Sequence, residues 1–150
     1  MIIPDVNILI HAYDSDFPRH QAAKSWWEES LNLSRPVGLP WATILGFIRI
    51  VTGRSILIKP LRAGEAVRIV QSWLEQPAVR LVVPGERHGE ILFRLLEELG
   101  TAGNLTTDAH LAALAIEYQA EIASTDSDFG RFPGLRWFNP LSPRARPART

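Results

Sequence analysis

The sequence predicts an α/β domain: a mainly parallel central sheet flanked by helices. Two observations carry this. Short apolar or β-rich runs alternate along the chain with segments whose apolar residues recur at three- and four-residue spacings. Pro and Gly punctuate the joins, as at Ser34-Arg35-Pro36, Gly53, Pro84-Gly85 and Gly100. Strands that alternate with helices pair in parallel through helical crossovers, and such sheets place ligands at the carboxyl ends of their strands.

The elements follow in order. Met1 to Pro4 reads as a short strand ending at Asp5, and Val6 to Ala12 as a short helix with Asn7 near its start. A longer helix is expected from about Pro18 to Leu33, carrying Ala22, Ala23, Trp26, Trp27 and Leu31. Val37 to Leu39 is a brief strand, and Pro40 starts a helix, Trp41 to Thr52, that Gly53 ends. Arg62 to Glu75 is helical, with Ala66, Ile69, Val70 and Trp73 on one stripe. Val79 to Val83 reads as a buried parallel strand closed by Pro84-Gly85. Helices are expected over Glu90–Leu99 and Thr106–Tyr118, then strands over Glu121–Ser124 and Leu135–Phe138. The domain organisation is one domain over residues 1–141 and a Pro- and Arg-rich tail, 142–150, expected to be mobile.

Bulk composition narrows the function. With 150 residues, 46% hydrophobic and 21% charged, the chain has material for a normal core. Its net charge of +0 sets up no overall positive field, so phosphate contacts would fall to a local group such as Arg49, Arg54, Lys59 and Arg62. The absence of cysteine removes thiolate chemistry and Cys-based zinc, leaving oxygen or imidazole as metal ligands. No secretory leader or spanning apolar segment is read, so a cytoplasmic protein without membrane attachment is expected.

Four carboxylates stand at the ends of these elements: Asp5 after the first strand, Asp108 at a helix start, and Asp126 and Asp128 after the fourth strand. Carboxylates are costly to gather unless a cation compensates them. Three or four at one sheet edge suit Mg²⁺, which takes oxygen ligands and keeps several waters. Asn7 and Ser124 can orient those carboxylates without adding charge. Each acid also has a plain reading: Asp5 as a helix cap, Asp108 as an acid favoured by a helix dipole, Asp126 and Asp128 as turn residues. The four His residues lack metalloprotease or zinc-finger spacing and read as surface or packing residues, and Trp26, Trp27, Trp41 and Trp73 as core.

The segments IIPDVNILIHAYD, LPWATILGFIRIVTG and GNLTTDAHLAALAIEYQAEIASTDSDFGRFPGLRWFNPL together resemble PIN-domain ribonucleases, and more narrowly the VapC-type toxins of toxin–antitoxin pairs. The resemblance implies a PIN fold, Mg²⁺- or Mn²⁺-dependent endonucleolytic cleavage of RNA, a small cognate antitoxin, and a homodimer or toxin–antitoxin hetero-oligomer. It assigns Asp5, Asp108 and Asp126 to the metal, Asp128 to a further catalytic acid, and Asn7 and Ser124 to polar support. Where PIN domains commonly carry a Glu on the middle helix, this chain has Gly46, leaving the gap to water or to another acid such as Asp14 or Asp16. Two other readings stand beside it: a catalytically weakened PIN-like module that binds RNA or protein, and a Mg²⁺ phosphohydrolase with an aspartyl nucleophile. The second lacks the companion Asp and Thr after Asp5.

Overall fold

The computed structural model describes residues 1–143. Five strands form one sheet in which every pairing is parallel: β1 (Ile2–Pro4), β2 (Val37–Pro40), β3 (Val79–Val82), β4 (Glu121–Ala123) and β5 (Arg136–Phe138), in the order β3-β2-β1-β4-β5. Among the described residues there are six α-helices: α1 (Val6–Tyr13), α2 (His20–Asn32), α3 (Trp41–Thr52), α4 (Ala63–Leu74), α5 (His88–Leu99) and α6 (Thr106–Glu117). None is long and apolar enough to cross a membrane.

The strand order decides where a ligand can sit. From β1 the chain works outward through β2 to β3, then returns across the sheet to lay β4 on the other side of β1. β1 and β4 are therefore the switch point, and the crevice beyond their carboxyl ends is where such sheets bind ligands. Ile3 pairs with Ile122 and Pro4 with Ala123, so Asp5 and Ser124 leave the sheet side by side. The backbone N–H of Asp5 donates to the Ala123 carbonyl at 2.9 Å and holds that register beyond the strand.

Two apolar layers enclose the sheet. On one side α1 to α4 contribute Leu9, Trp27, Phe47 and Val70 to a common cluster, with Trp27 and Phe47 both meeting the Trp73 ring edge-on. On the other, α6 packs between the sheet and α5, and its run Leu111 to Ala115 is buried all round. Gly100 ends α5 in the left-handed region (φ 73°), where its N–H reaches back to Leu96 and Glu97.

The N-terminus of α5 is held by a side chain from another helix. Arg87 offers it no side-chain cap, and Glu117 of α6 instead accepts the N–H groups of Gly85 (2.7 Å) and Arg87 (3.0 Å). Glu117→Ala is expected to cost about 1 kcal/mol, the worth of a lost cap. Calorimetry should then show a melting midpoint lower by roughly 3 °C.

Several sequence expectations are corrected. β3 is an edge strand, not a buried one: Arg80 and Leu81 face solvent, and Val83 lies beyond the strand's end, because no strand pairs with its outer side. The second helix starts at His20, two residues later than expected, since Phe17-Pro18-Arg19 is used to turn the chain. Trp41 is not core but 51% exposed on the outer face of α3. Leu141 is buried in the α1–α4 cluster, so packing continues into the segment that follows β5. Of the expected tail, residues 144–150, with Arg144, Arg146 and Arg149, lie outside the described residues.

Candidate active site

Asp5 is both a helix cap and a buried acid. It stands at the junction of β1 and α1, where its Oδ1 accepts the Val6 N–H at 2.7 Å. Its Oδ2 accepts the Ser124 hydroxyl at 2.8 Å. The carboxyl is only 6% exposed, and burial lifts its pKa above the ordinary value, while the Ser124 and Val6 hydrogen bonds pull it back.

Ser124 joins the site together. It is fully buried just beyond β4, and its oxygen also accepts the Asp126 N–H at 3.0 Å. Asn7 Oδ1 lies 3.3 Å from the same hydroxyl. One hydroxyl carries one proton, and the shorter contact to a carboxylate takes it. An Asn7 amide turned about its own axis would donate Nδ2–H to that oxygen and satisfy both groups.

Asp126 continues the chain of contacts. Its Oδ1 accepts the Asp128 N–H at 2.9 Å and caps the 3-10 turn Ser127–Arg131, which follows β4. The turn-residue reading is therefore correct for Asp126 as geometry, and it is also what delivers the carboxylates. Phe129 and Phe132, buried against α6, anchor the turn.

Asp108 behaves differently. It lies in the first turn of α6, half-buried, and among the described residues its carboxylate makes no hydrogen bond, so it does not cap the helix. Its pKa is pushed up to about 6, first by burial and then by the negative charges of Asp5, Asp126 and Asp128. No cationic side chain figures among those causes. The fold thus brings all four predicted acids, with Asn7 and Ser124, to one edge.

This donor set fits a hard divalent cation. It offers only carboxylate, amide and hydroxyl oxygen, and it concentrates negative charge that the protein leaves uncompensated. Among the described residues no group of three or more acids or imidazoles is placed to hold an ion by itself. An ion such as Mg²⁺ needs only one or two direct carboxylates and completes its shell with water. Asp5 and Asp126 spend an oxygen each on the backbone, so Asp108 and Asp128 are the freer donors.

Gly46 adds no oxygen. A Cβ there would come within 3.2 Å of Val6 Cγ2, so α3 packs its glycine directly on the residue after Asp5. Neither Asp14 nor Asp16 fills the gap. Both lie at the far end of α1, about 12 Å along the helix from Asp5. The imidazoles also stand apart from the acids in their contacts: His88, buried, meets His110 with Nε2 and Nδ1 3.0 Å apart, and His20 meets the His11 carbonyl. The packing reading of these residues holds. Ser124 was read from sequence as polar support; what the sequence did not show is that it bonds Asp5 and Asp126 together, from its place beside Asp5 just past the paired ends of β1 and β4.

Comparison with known proteins agrees with this architecture. Residues 2–135 match the PIN domain, and the chain belongs to the PIN-domain family, in its VapC-type branch. It is 47% identical over 141 residues to Ribonuclease VapC33 of Mycobacterium tuberculosis, covering 94% of this chain and 99% of the relative. Ribonuclease VapC37 of the same organism is 42% identical, covering 93% and 97%. Among solved structures, VapBC-1 from nontypeable Haemophilus influenzae superposes with a TM-score of 0.70 at 19% identity, covering 95% of this chain and 100% of that one. VapC20 of M. tuberculosis, described as a toxin that cleaves the sarcin–ricin loop, gives 0.67 at 19%, covering 91% and 99%. These two likenesses establish the fold.

Proposed function

We propose that this chain is a Mg²⁺-dependent endoribonuclease, with Mn²⁺ as an alternative ion, and the toxin of a toxin–antitoxin pair. The observation that carries the chemistry is Asp108: a half-buried carboxylate with no hydrogen-bond partner among the described residues, pushed to about 6 first by burial and then by the charges of three other acids. A group held at that electrostatic cost without a structural bond is a candidate for ligand binding or catalysis. The ribonuclease assignment draws on the relatives' names, and the antitoxin on the VapBC and FitAB complexes among the structural neighbours. A homodimer or toxin–antitoxin hetero-oligomer in the cytoplasm belongs to the same reading.

In this mechanism Asp5, Asp108 and Asp126 would hold the ion. Water activation and stabilisation of charge on the departing oxygen are the chemistry such an ion supplies when bound. The chain's own residues do the rest. Ser124 and the Val6 N–H lock Asp5 in one orientation, and Asn7 supports Ser124. The Asp128 carboxylate, whose charge acts on Asp108, would orient the attacking water and take its proton. The new P–O bond forms as the bond to one ribose oxygen breaks, and that oxygen takes up a proton from solvent water.

The test is an RNA digest with end-group analysis. Water attack leaves a linear phosphate and a free hydroxyl, and it tolerates a 2′-deoxy nucleotide at the cut. A 2′,3′-cyclic phosphate would reject the mechanism. Ion binding should also depend on pH. Below about 6 a proton competes for Asp108, so the Kd for Mn²⁺ is expected to rise by up to about tenfold per pH unit and to level off above it. Calorimetric titrations at three pH values check this.

Gly46 favours a second reading, a weakened module that binds RNA or protein without cutting. Retained RNA binding in EDTA, with no products at high protein concentration, would select it.

A further inference from the structure

A cavity of about 460 Å³ opens between residues 13–16, at the end of α1, and residues 57–59 of the α3–α4 connection. It lies at the opposite end of α1 from the acid cluster. α3 begins beside Asp5, where the Thr43 hydroxyl donates to the Pro4 carbonyl at 3.2 Å, and Gly46 then packs on Val6. The two helices still touch at Tyr13 and Phe47, whose rings meet edge-on with centroids 5.9 Å apart. The cavity is thus about 12 Å from Asp5, the length of α1.

Its lining mixes three chemistries. Asp14 is 9% exposed, and among the described residues only its Oδ1 has a protein partner, the Asp16 N–H at 3.0 Å. Leu57 is buried and Ile58 is 81% exposed, giving an apolar wall and lip. Lys59 lines the cavity as well, and Arg54 and Arg62 are exposed on the same connection. A peptide's basic side chain would suit Asp14 and Asp16 but would meet Lys59 and its neighbours. A nucleotide suits both: an apolar-faced base with N–H donors for a carboxylate, and phosphates for the cations. Guanine matches best, since its Watson–Crick edge sets two N–H donors beside a carbonyl acceptor.

We propose that this cavity is a nucleobase subsite that seats a guanine of the RNA strand, a few nucleotides from the scissile bond. The placement relative to a cut rests on the ribonuclease reading; the base preference of the cavity does not.

The experiment therefore has two arms. In EDTA, methyl NMR of Leu57 and Ile58 is followed while guanosine, adenosine and cytidine monophosphates, and separately an arginine-rich peptide, are titrated in. The guanosine nucleotide is expected to bind tightest. Asp14→Asn, which keeps an oxygen for the Asp16 N–H, should weaken it about tenfold, the worth of a paired base contact. Methyls that stay still with every nucleotide, or move only with the peptide, would overturn the subsite. In the second arm, cut sites in a randomised RNA pool should show guanine at one fixed offset for the wild type. Asp14→Asn should lose that bias and keep cutting; an unchanged bias would overturn the proposal. If the wild type cuts nothing, the ribonuclease reading fails and the first arm still decides the cavity.

Discussion

Asp108→Asn is expected to abolish RNA cleavage while making the ion-free protein more stable above pH 6. The native carboxylate is raised from 3.8 to about 6. Between those values the unfolded chain has lost the proton and the native chain retains it, so stability falls as pH rises; above 6 the cost is constant. The shift corresponds to about 3 kcal/mol before solvent is considered. Because Asp108 is half-exposed, screening reduces this to roughly 1 kcal/mol. Removing the charge should therefore raise the melting midpoint at pH 7 by roughly 3 °C and have little effect at pH 4. Cleavage should fall at least about 100-fold, through loss of an oxygen donor that nothing nearby replaces. Thermal scans in EDTA at both pH values, beside a cleavage assay, read the two effects together. A variant that is less stable and fully active would remove Asp108 from the site.

Ser124→Ala should do the opposite to stability. The hydroxyl is fully buried and serves Asp5 Oδ2 and the Asp126 N–H, so its loss strands one charged acceptor and one donor. Unsatisfied buried groups cost about 1–3 kcal/mol each, more when charged. A total near 3 kcal/mol would lower the melting midpoint by roughly 10 °C. The defect should be worse at pH 7 than at pH 4, because the Ser124 bond is what lowers the Asp5 pKa against burial. Cleavage should drop about 10- to 100-fold, as for other groups that orient a ligand carboxylate. Denaturant titration at both pH values checks it, and a wild-type midpoint would show that Ser124 bears no such load.

The contrast between these residues shows what was legible in the sequence. Asp5, Asp126 and Asp128 announce themselves by ending short apolar runs, and parallel strands put such ends on one edge. That reasoning is local, and it succeeded for the element order; the charges of Asp5, Asp126 and Asp128 do act on Asp108. The pairing of β1 with β4 is not local. It joins residues more than a hundred positions apart, and only the strand order makes the Asp5–Ser124 bond visible. The same blindness misread β3, whose apolar residues fit a central strand as well as the edge strand it is. Trp41 was misread because helical spacing tells which residues share a face, not which face the fold leaves open. Gly46 was noticed as a missing acid, but its packing on Val6 required the distance between α1 and α3.

Cleavage of a mixed structured and single-stranded RNA pool by the wild type and Asp108→Asn, each in Mg²⁺, Mn²⁺ and EDTA, tests the central claim most directly. The acid cluster predicts discrete cuts by the wild type in either ion, none in EDTA, and none from a folded Asp108→Asn protein in any condition. Cuts that persist in EDTA, or that the variant makes at the wild-type rate, would contradict it.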